Sequence, residues 1–438
     1  MTEKRKLGWR DLGDARVALM LALGFSAGLP LLLVFGTLSV RLRESGVPVT
    51  TIGLFSWLAL AYSLKFIWSP IIDAFDVPVL ARLVGRRRAW MMTCQLVIVL
   101  GLIGVALSDP VQGIAMTAAF TFVVAFGSAT QDVVIDGWRI DAAPLEKQGI
   151  MAAAYQLGYR LALLCAGAGA LYIAEFVDWR TAYYAMAGLM TVGFAASLLS
   201  PIVDRAPGEG ASKVPARFDF TVAVKAPIAD LYLRTGHALI PILALVALYR
   251  LPDFVAGVMS NPLYVDLGFT KAQIATVAKL YGVWIGILGA FVGGFAVSKL
   301  GLYRTMLIGA TASATSHGLF AWLSSQGADL QALVIAISFD NFAGSFSGTA
   351  LIAYMSGLTA AGFSATQYAL LSSLYALPGK VVGGVSGFIV QAFGYATFFA
   401  MTAAIALPVL VLIYVVGRVP AGGLGPKAAE ESSVSSSP

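Results

Sequence analysis

The sequence predicts an all-α, polytopic membrane protein built as two six-helix bundles, 12 transmembrane helices in all. Three observations carry that expectation. Apolar stretches of about 20 residues, the length that spans a hydrocarbon core as a helix, recur along the whole chain. A polar, mixed-charge segment interrupts them once, halfway. The two halves also share short matches at nearly constant offset. Composition agrees: 58% of the 438 residues are hydrophobic and 12% charged, against about 25% charged in soluble proteins, and the mean hydropathy is +0.82.

The expected spans lie near 16–40, 50–72, 89–107, 111–137, 149–175 and 182–201 in the first half, and near 237–259, 272–297, 304–323, 329–354, 362–391 and 394–417 in the second. The domain reading follows: an N-terminal segment 1–15, a bundle 16–201, a linker 202–236, a bundle 237–417 and a polar tail 418–438, expected to be disordered. The first apolar run has no small-residue cleavage site after a short core, so it reads as a retained span and not a removed signal peptide. With the N-terminus cytoplasmic, inside segments carry 20 Lys and Arg and outside segments carry 4 (Arg41, Arg43, Arg180, Lys271). The excess of cations inside predicts both termini in the cytoplasm. The net charge of +6 then reflects inside loops and implies no nucleic acid.

The repeat is weak but ordered. Glu44 to Gly53 matches Asp266 to Ala275 at an offset of 222, and the same offset pairs Leu29-Pro30 with Leu251-Pro252. An offset of 220 pairs Tyr155 with Tyr375 and Arg160 with Lys380. Two parallel six-helix repeats with a site at their interface are the major facilitator design. Glycines inside spans allow close helix approach. Trp57, Trp68, Trp90 and Trp138 lie at or near span ends, where interface anchors are expected.

Charges inside the spans mark the chemistry, because an ionised group at membrane depth costs about 2.5 kcal/mol or more and faces a cavity or a partner. Gly127-Ser-Ala-Thr-Gln-Asp-Val-Val-Ile-Asp-Gly-Trp-Arg139 places Gln131, Asp132, Asp136 and Arg139 at the end of the fourth span. Asp132, Asp136 and Arg139 share one helix face. The other deep charges are Lys65, Arg160, Arg250, Asp253, Lys279, Asp340 and Lys380. Cations spare to the acids suit an anionic substrate, and desolvated carboxyls suit proton uptake and release. Carrying a net negative charge inward against an inside-negative potential costs about 2.3 kcal/mol per 100 mV, which co-transported protons cancel. Asp132 and Asp136 are therefore the expected proton-coupling acids. Asp132, the deeper, is expected to be unpaired and is the first choice; Asp136 with Arg139, near the cytoplasmic end, is the better gate. Arg250 and Asp253, three apart, can pair with each other, and Asp340 occupies in the tenth span the place of Asp132 in the fourth. Asp73 followed by Gly85-Arg86-Arg87-Arg88 has the cytoplasmic gate pattern of the superfamily, an acid able to cap a helix N-terminus. Cys94 and Cys165, and His237 and His317, form neither disulfide nor metal spacing. With no Gly-Lys-Ser/Thr loop, no nucleotide-driven pump is expected. No cofactor and no enzymatic nucleophile–base pair is read.

The motifs Gly24-Phe-Ser-Ala-Gly-Leu-Pro30, Lys65-Phe-Ile-Trp-Ser-Pro70 with Asp73, Gly85 to Arg88, Ser128-Ala-Thr-Gln-Asp132, Asp136-Gly-Trp-Arg-Ile-Asp141 and Gly158-Tyr-Arg160, in order, resemble the AmpG-type permeases. The match covers about residues 16–200; Phe363 to Tyr368 is the best anchor afterwards. The resemblance implies a Gram-negative inner-membrane permease. Such proteins import N-acetylglucosaminyl-1,6-anhydro-N-acetylmuramyl peptides for peptidoglycan recycling, use the proton-motive force, and feed the signal for inducible β-lactamase. It carries the family's acidic motif onto Asp132 and Asp136 and its Gly-Tyr-Arg motif onto Arg160. On this reading Arg160 and one or more of Lys65, Lys279 and Lys380 bind peptide carboxylates. Gln131, Gln156, Gln367, Tyr155 and Tyr375 bind N-acetyl and hydroxyl groups. A monomer in the bilayer is expected. Related permeases carry acetyl-CoA, so a facilitator for another solute remains a rival, as does a sensor that binds without transporting.

Overall fold

The computed structural model describes residues 14–68, 72, 75–142, 148–202, 229–358 and 364–418. Asp73, most of the linker and nearly all of the tail lie outside them. Every regular element among the described residues is helical. In the first half these are α1 (Ala15–Val34), α2 (Gly36–Glu44), α3 (Val49–Phe55), α4 (Leu60–Leu64), α5 (Leu80–Val84), α6 (Arg86–Leu107), α7 (Ile114–Ala142), α8 (Gln148–Leu164), α9 (Ala170–Phe176), α10 (Trp179–Leu189) and α11 (Thr191–Leu199). In the second half they are α12 (Leu239–Tyr249), α13 (Leu251–Asp266), α14 (Lys271–Gln273), α15 (Gly282–Leu300), α16 (Leu302–Leu323), α17 (Leu330–Leu358), α18 (Ser364–Gly383), α19 (Ser386–Ala404) and α20 (Ala406–Gly417). Eight helical stretches are long and apolar enough to cross a membrane. The second expected span falls on the shorter α3–α4 run, and the ninth to eleventh on α16, α17 and α18 with the start of α19.

Several rods are interrupted along their length. The ladder breaks at Phe35 (φ −126°, ψ −91°) between α1 and α2. Short 3-10 turns, Ser56–Ala59 and Lys65–Ile67, flank α4. Wider π turns, Cys165–Gly169 and Ile274–Tyr281, precede α9 and α15, and such bulges recur at functional sites. Loop chemistry fixes the ends. Asp178 accepts from the Thr181 amide at 2.6 Å to cap α10, and that bond holds its carboxyl below the usual range. Thr270 and Gln273 form a reciprocal capping box on α14.

The packing repeats as the sequence does. Gly46 and Gly268, equivalent at the 222-residue offset, both adopt left-handed φ, 85° and 89°. The run of α3 lies on α19 of the other half, with Gly53 against the Gly384 and Gly387 backbone. The segment around Cys165–Gly169 lies on Ile274–Tyr281. These two contacts exchange when each half is mapped on the other, and α2 against α13 completes the seam. One apolar cluster crosses it, joining Val40, Val49, Ala168 and Leu171 to Val255, Met259 and Ile274.

Within the first half α1 packs on α8 at backbone distance. A Cβ on Gly158 would lie 1.9 Å from the Leu21 carbonyl oxygen, and one on Gly24 2.2 Å from that of Tyr155. Gly158→Ala must therefore push the helices apart. It is expected to cost about 1–3 kcal/mol, as overpacking does, and to lower the thermal unfolding midpoint in detergent; an unchanged midpoint would contradict this packing. Trp138, expected as an interface anchor, is instead wholly buried; its indole donates to the Pro201 carbonyl at 3.3 Å. Trp57 donates across the seam to the Val381 carbonyl at 2.9 Å.

Candidate transport site

A cavity of about 460 Å³ lies where the halves meet. Phe35, Ser56, Tyr62 and Tyr159 line it from one half. Asp253, Phe254, Asn261 and Lys380 line it from the other. The break at Phe35 turns its ring toward Tyr62, edge-on at 6.0 Å. The 3-10 turn after α3 brings Ala59 and Ser63 within reach of Lys380, whose ammonium donates to Ser63 Oγ at 2.6 Å and to the Ala59 carbonyl at 3.3 Å. Lys279 donates to Asn261 Oδ1 at 2.8 Å, so its charge stands behind the wall and reaches the cavity through the amide. The walls thus offer aromatic and apolar surface with a few converging polar groups, the usual make-up of a small-molecule site.

Beside the cavity the fourth-span acids take different surroundings. Asp132 is not unpaired: Lys65 Nζ lies 3.5 Å from its Oδ2 and the Tyr155 hydroxyl donates to Oδ1 at 3.3 Å. The 3-10 turn at Lys65–Ile67 carries the lysine alongside α7. Asp136 pairs with Arg139 at 3.3 Å and is half exposed. Arg87 packs on Gly137, where a Cβ would meet its Nη1 at 2.7 Å. Arg86 holds Asp76 at 3.2 Å and donates to the Ile72 carbonyl at 3.0 Å; Asp73 lies outside the described residues.

The remaining residues singled out in the sequence are spread more widely. Gln131 is buried and donates to Ser26 at 2.8 Å. Gln367 is buried between Asp230 and Arg234. Both hold helices together within one half. Tyr375 stands behind the cavity wall, tilted against Phe254 with ring centroids 5.9 Å apart. Gln156 and Arg160 share one exposed face of α8, while Tyr159, between them, lines the cavity. Arg250 and Asp253 do pair, at 2.7 Å, and Asp340 accepts from Ser316 at 3.5 Å.

One group went unread in the sequence. At the end of the seam where α2, α9 and α13 finish, charges cross between halves. Arg43 pairs with Asp266, which also accepts from Tyr395 at 2.7 Å. Lys271 pairs with Glu44 at 2.5 Å and Glu175 at 3.6 Å, and Trp179 donates to Glu44 at 2.5 Å. Glu44 and Asp266 are the equivalent acids of the repeat, and each takes its cation from the opposite half. This end is latched, and the cavity lies behind it.

The two halves and the cavity between them have the fold of a polytopic membrane transporter of the major facilitator type. Solved transporters share the arrangement. A bacterial homologue of the human lysosomal transporter Spinster, in an inward-facing and occupied conformation, aligns with TM-score 0.67 over 96% of this chain and 99% of its own at 13% identity. A D-xylose–proton symporter aligns with TM-score 0.67 over 95% and 99%, also at 13% identity.

Sequence relatives narrow the family. The chain is 35% identical to the "Anhydromuropeptide permease" of Escherichia coli K12 across 93% of this chain and 80% of that one. It is 35% identical to "Putative transporter AmpG 4" of Rickettsia felis across 91% and 96%. A family model described as "Acetyl-coenzyme A transporter 1" matches residues 16–114. The chain belongs to the AmpG family of permeases; it is a transporter and not an enzyme.

Proposed function

We propose that this permease imports anhydromuropeptides into a bacterial cytoplasm together with protons, serving peptidoglycan recycling and, where β-lactamase is inducible, its induction. The observation that carries the reading is the cavity shared by both halves and latched at one end, in a chain whose curated relative is named for that substrate. The Lys and Arg distribution supports assigning the latched end to the outside and both termini to the cytoplasm, which makes the conformation inward-facing, and twelve crossings follow from the repeat. The protein works as a monomer embedded in the bilayer.

In the mechanism, Tyr62, Tyr159 and Phe35 stack on sugar rings. Lys380, with Lys279 behind Asn261, neutralises peptide carboxylates. Arg160 and Gln156, on the exposed face of α8 beside Tyr159, meet the substrate on its way to the cavity. Tyr155 and Lys65 set the proton affinity of Asp132 and do not bind solute. Asp136 with Arg139, and Asp73 with Arg86 and Arg87, lock the inner end when the outer end opens. Gln131, Gln367 and Tyr375 hold these elements in place.

Uptake of a labelled anhydromuropeptide into proteoliposomes, with and without an inward proton gradient, tests the reading. Competition by acetyl-CoA tests the solute suggested by the partial family match. Uptake of labelled acetyl-CoA with none of the muropeptide would overturn the substrate, and binding without uptake would leave a sensor. Lys380→Ala is expected to raise the half-saturating muropeptide concentration about tenfold, the equivalent of one charge-assisted hydrogen bond. An unchanged value would remove Lys380 from the site.

A further inference from the structure

The second half holds a buried titratable cluster that includes a histidine the sequence reading set aside. His317, on α16, is wholly buried. Its Nε2 lies 3.3 Å from Asp253 Oδ1, yet neither ring nitrogen makes an aligned hydrogen bond. Asp253 also takes Arg250 and lines the central cavity. Asp340, on α17, acts electrostatically on His317, Asp253 and Arg250. The other groups brought by neighbouring elements are Tyr249 on α12, close to Asp253 and Arg250, and Tyr264 on α13, close to Asp340. Of the remaining helices packed on α16, α15 brings Lys299, which lies over Phe295. In α19, Tyr395 is bonded to Asp266, and in α20, Tyr414 lies under Arg418.

The cluster therefore sets one fixed cation, Arg250, against two acids, with the His317 imidazole beside Asp253. A net charge in such a place is expensive. One added proton balances it, and the imidazole Nε2, 3.3 Å from Asp253, is placed to take it. We propose that His317, with Asp253 and Asp340, forms a second proton-binding site, loaded and emptied through the central cavity by way of Asp253. A proton from cavity water reaches the Asp253 carboxylate and passes to His317 Nε2, giving an imidazolium beside Asp253; release reverses the path.

The fold connects this site to the latch. α13 carries Asp253 near one end and Asp266 at the other, so a shift of α13 that accompanies loading is felt by the contacts of Asp266 with Arg43 and Tyr395. The inference rests on the proton-coupled reading and adds to it: two protons accompany each substrate, one through Asp132 and one through His317.

The test is steady-state accumulation of labelled anhydromuropeptide in proteoliposomes under a gradient of one pH unit, with the electrical potential clamped. Each coupled proton multiplies accumulation about tenfold. The expected values, in the same terms, are about a hundredfold for the native protein and about tenfold for His317→Gln and for Asp340→Asn. Exchange of substrate without a gradient reports whether each variant folds. Should neither variant exchange, the native protein decides: accumulation near tenfold means one proton and overturns the proposal. It is equally overturned if both variants exchange and keep the native accumulation while Asp132→Asn loses its share. No response of the native protein to the gradient defeats the proton-coupled reading itself, a separate outcome.

Discussion

Asp132→Asn is expected to lower gradient-driven accumulation of substrate about tenfold per pH unit, the loss of one coupled proton. Asparagine keeps the shape of the side chain and can still accept from Tyr155, but it has no titratable oxygen. The structure adds a complication: Lys65, 3.5 Å away, loses its acid. Removing one partner of this part-buried pair leaves the Lys65 ammonium without its acid, at a cost of about 1–3 kcal/mol, enough to slow the cycle. The double variant Asp132→Asn with Lys65→Met separates the two effects. It removes both charges, and it should recover gradient-free exchange toward the native rate while gradient-driven accumulation stays low. If the single variant keeps full accumulation in vesicles, Asp132 is a structural partner of Lys65 and the proton enters elsewhere.

Much of the architecture was legible because the bilayer imposes a simple rule on composition. Runs of about 20 apolar residues predict the all-helical, membrane-spanning class, and the matched left-handed Gly46 and Gly268 are the 222-residue offset read in the backbone. What the runs do not encode is where a helix breaks. Gly36 follows the break at Phe35 and Cys165–Gly169 holds two glycines, but glycines recur throughout the spans and do not single these positions out. The same limit hid the partners. Lys65 and Asp132 are 67 residues apart, and each was read alone, as a substrate cation and an unpaired acid. His317 was weighed only for metal spacing, which asks about other histidines and cysteines, whereas its neighbours are carboxylates on α13 and α17. Glu44 and Asp266 were visible as a repeat, but a repeat says nothing about which half supplies the cation.

That cross-pairing of Glu44 and Asp266 sets the second large effect. Glu44→Gln with Asp266→Asn should open the latched end. Each partly exposed ion pair there contributes about 0.2–1 kcal/mol, and the variant weakens several at once: Lys271 with Glu44, Arg43 with Asp266, and the bonds from Trp179 and Tyr395. A total of about 1–2 kcal/mol changes a two-state ratio about 5–30-fold. Val40 reports on it, because this side chain is buried in the apolar cluster that crosses the seam. A cysteine at Val40, in a background without Cys94 and Cys165, should react with a polar maleimide about 5–30 times faster in the double variant. Transport under a gradient should slow, because substrate enters one side only as fast as that side can close again. The backbone contacts of Gly53 with Gly384 and Gly387, and the apolar cluster beneath them, remain in the variant. Unchanged labelling would therefore mean that this packing alone holds the end shut, and that the charges above it serve only to align the halves as they meet.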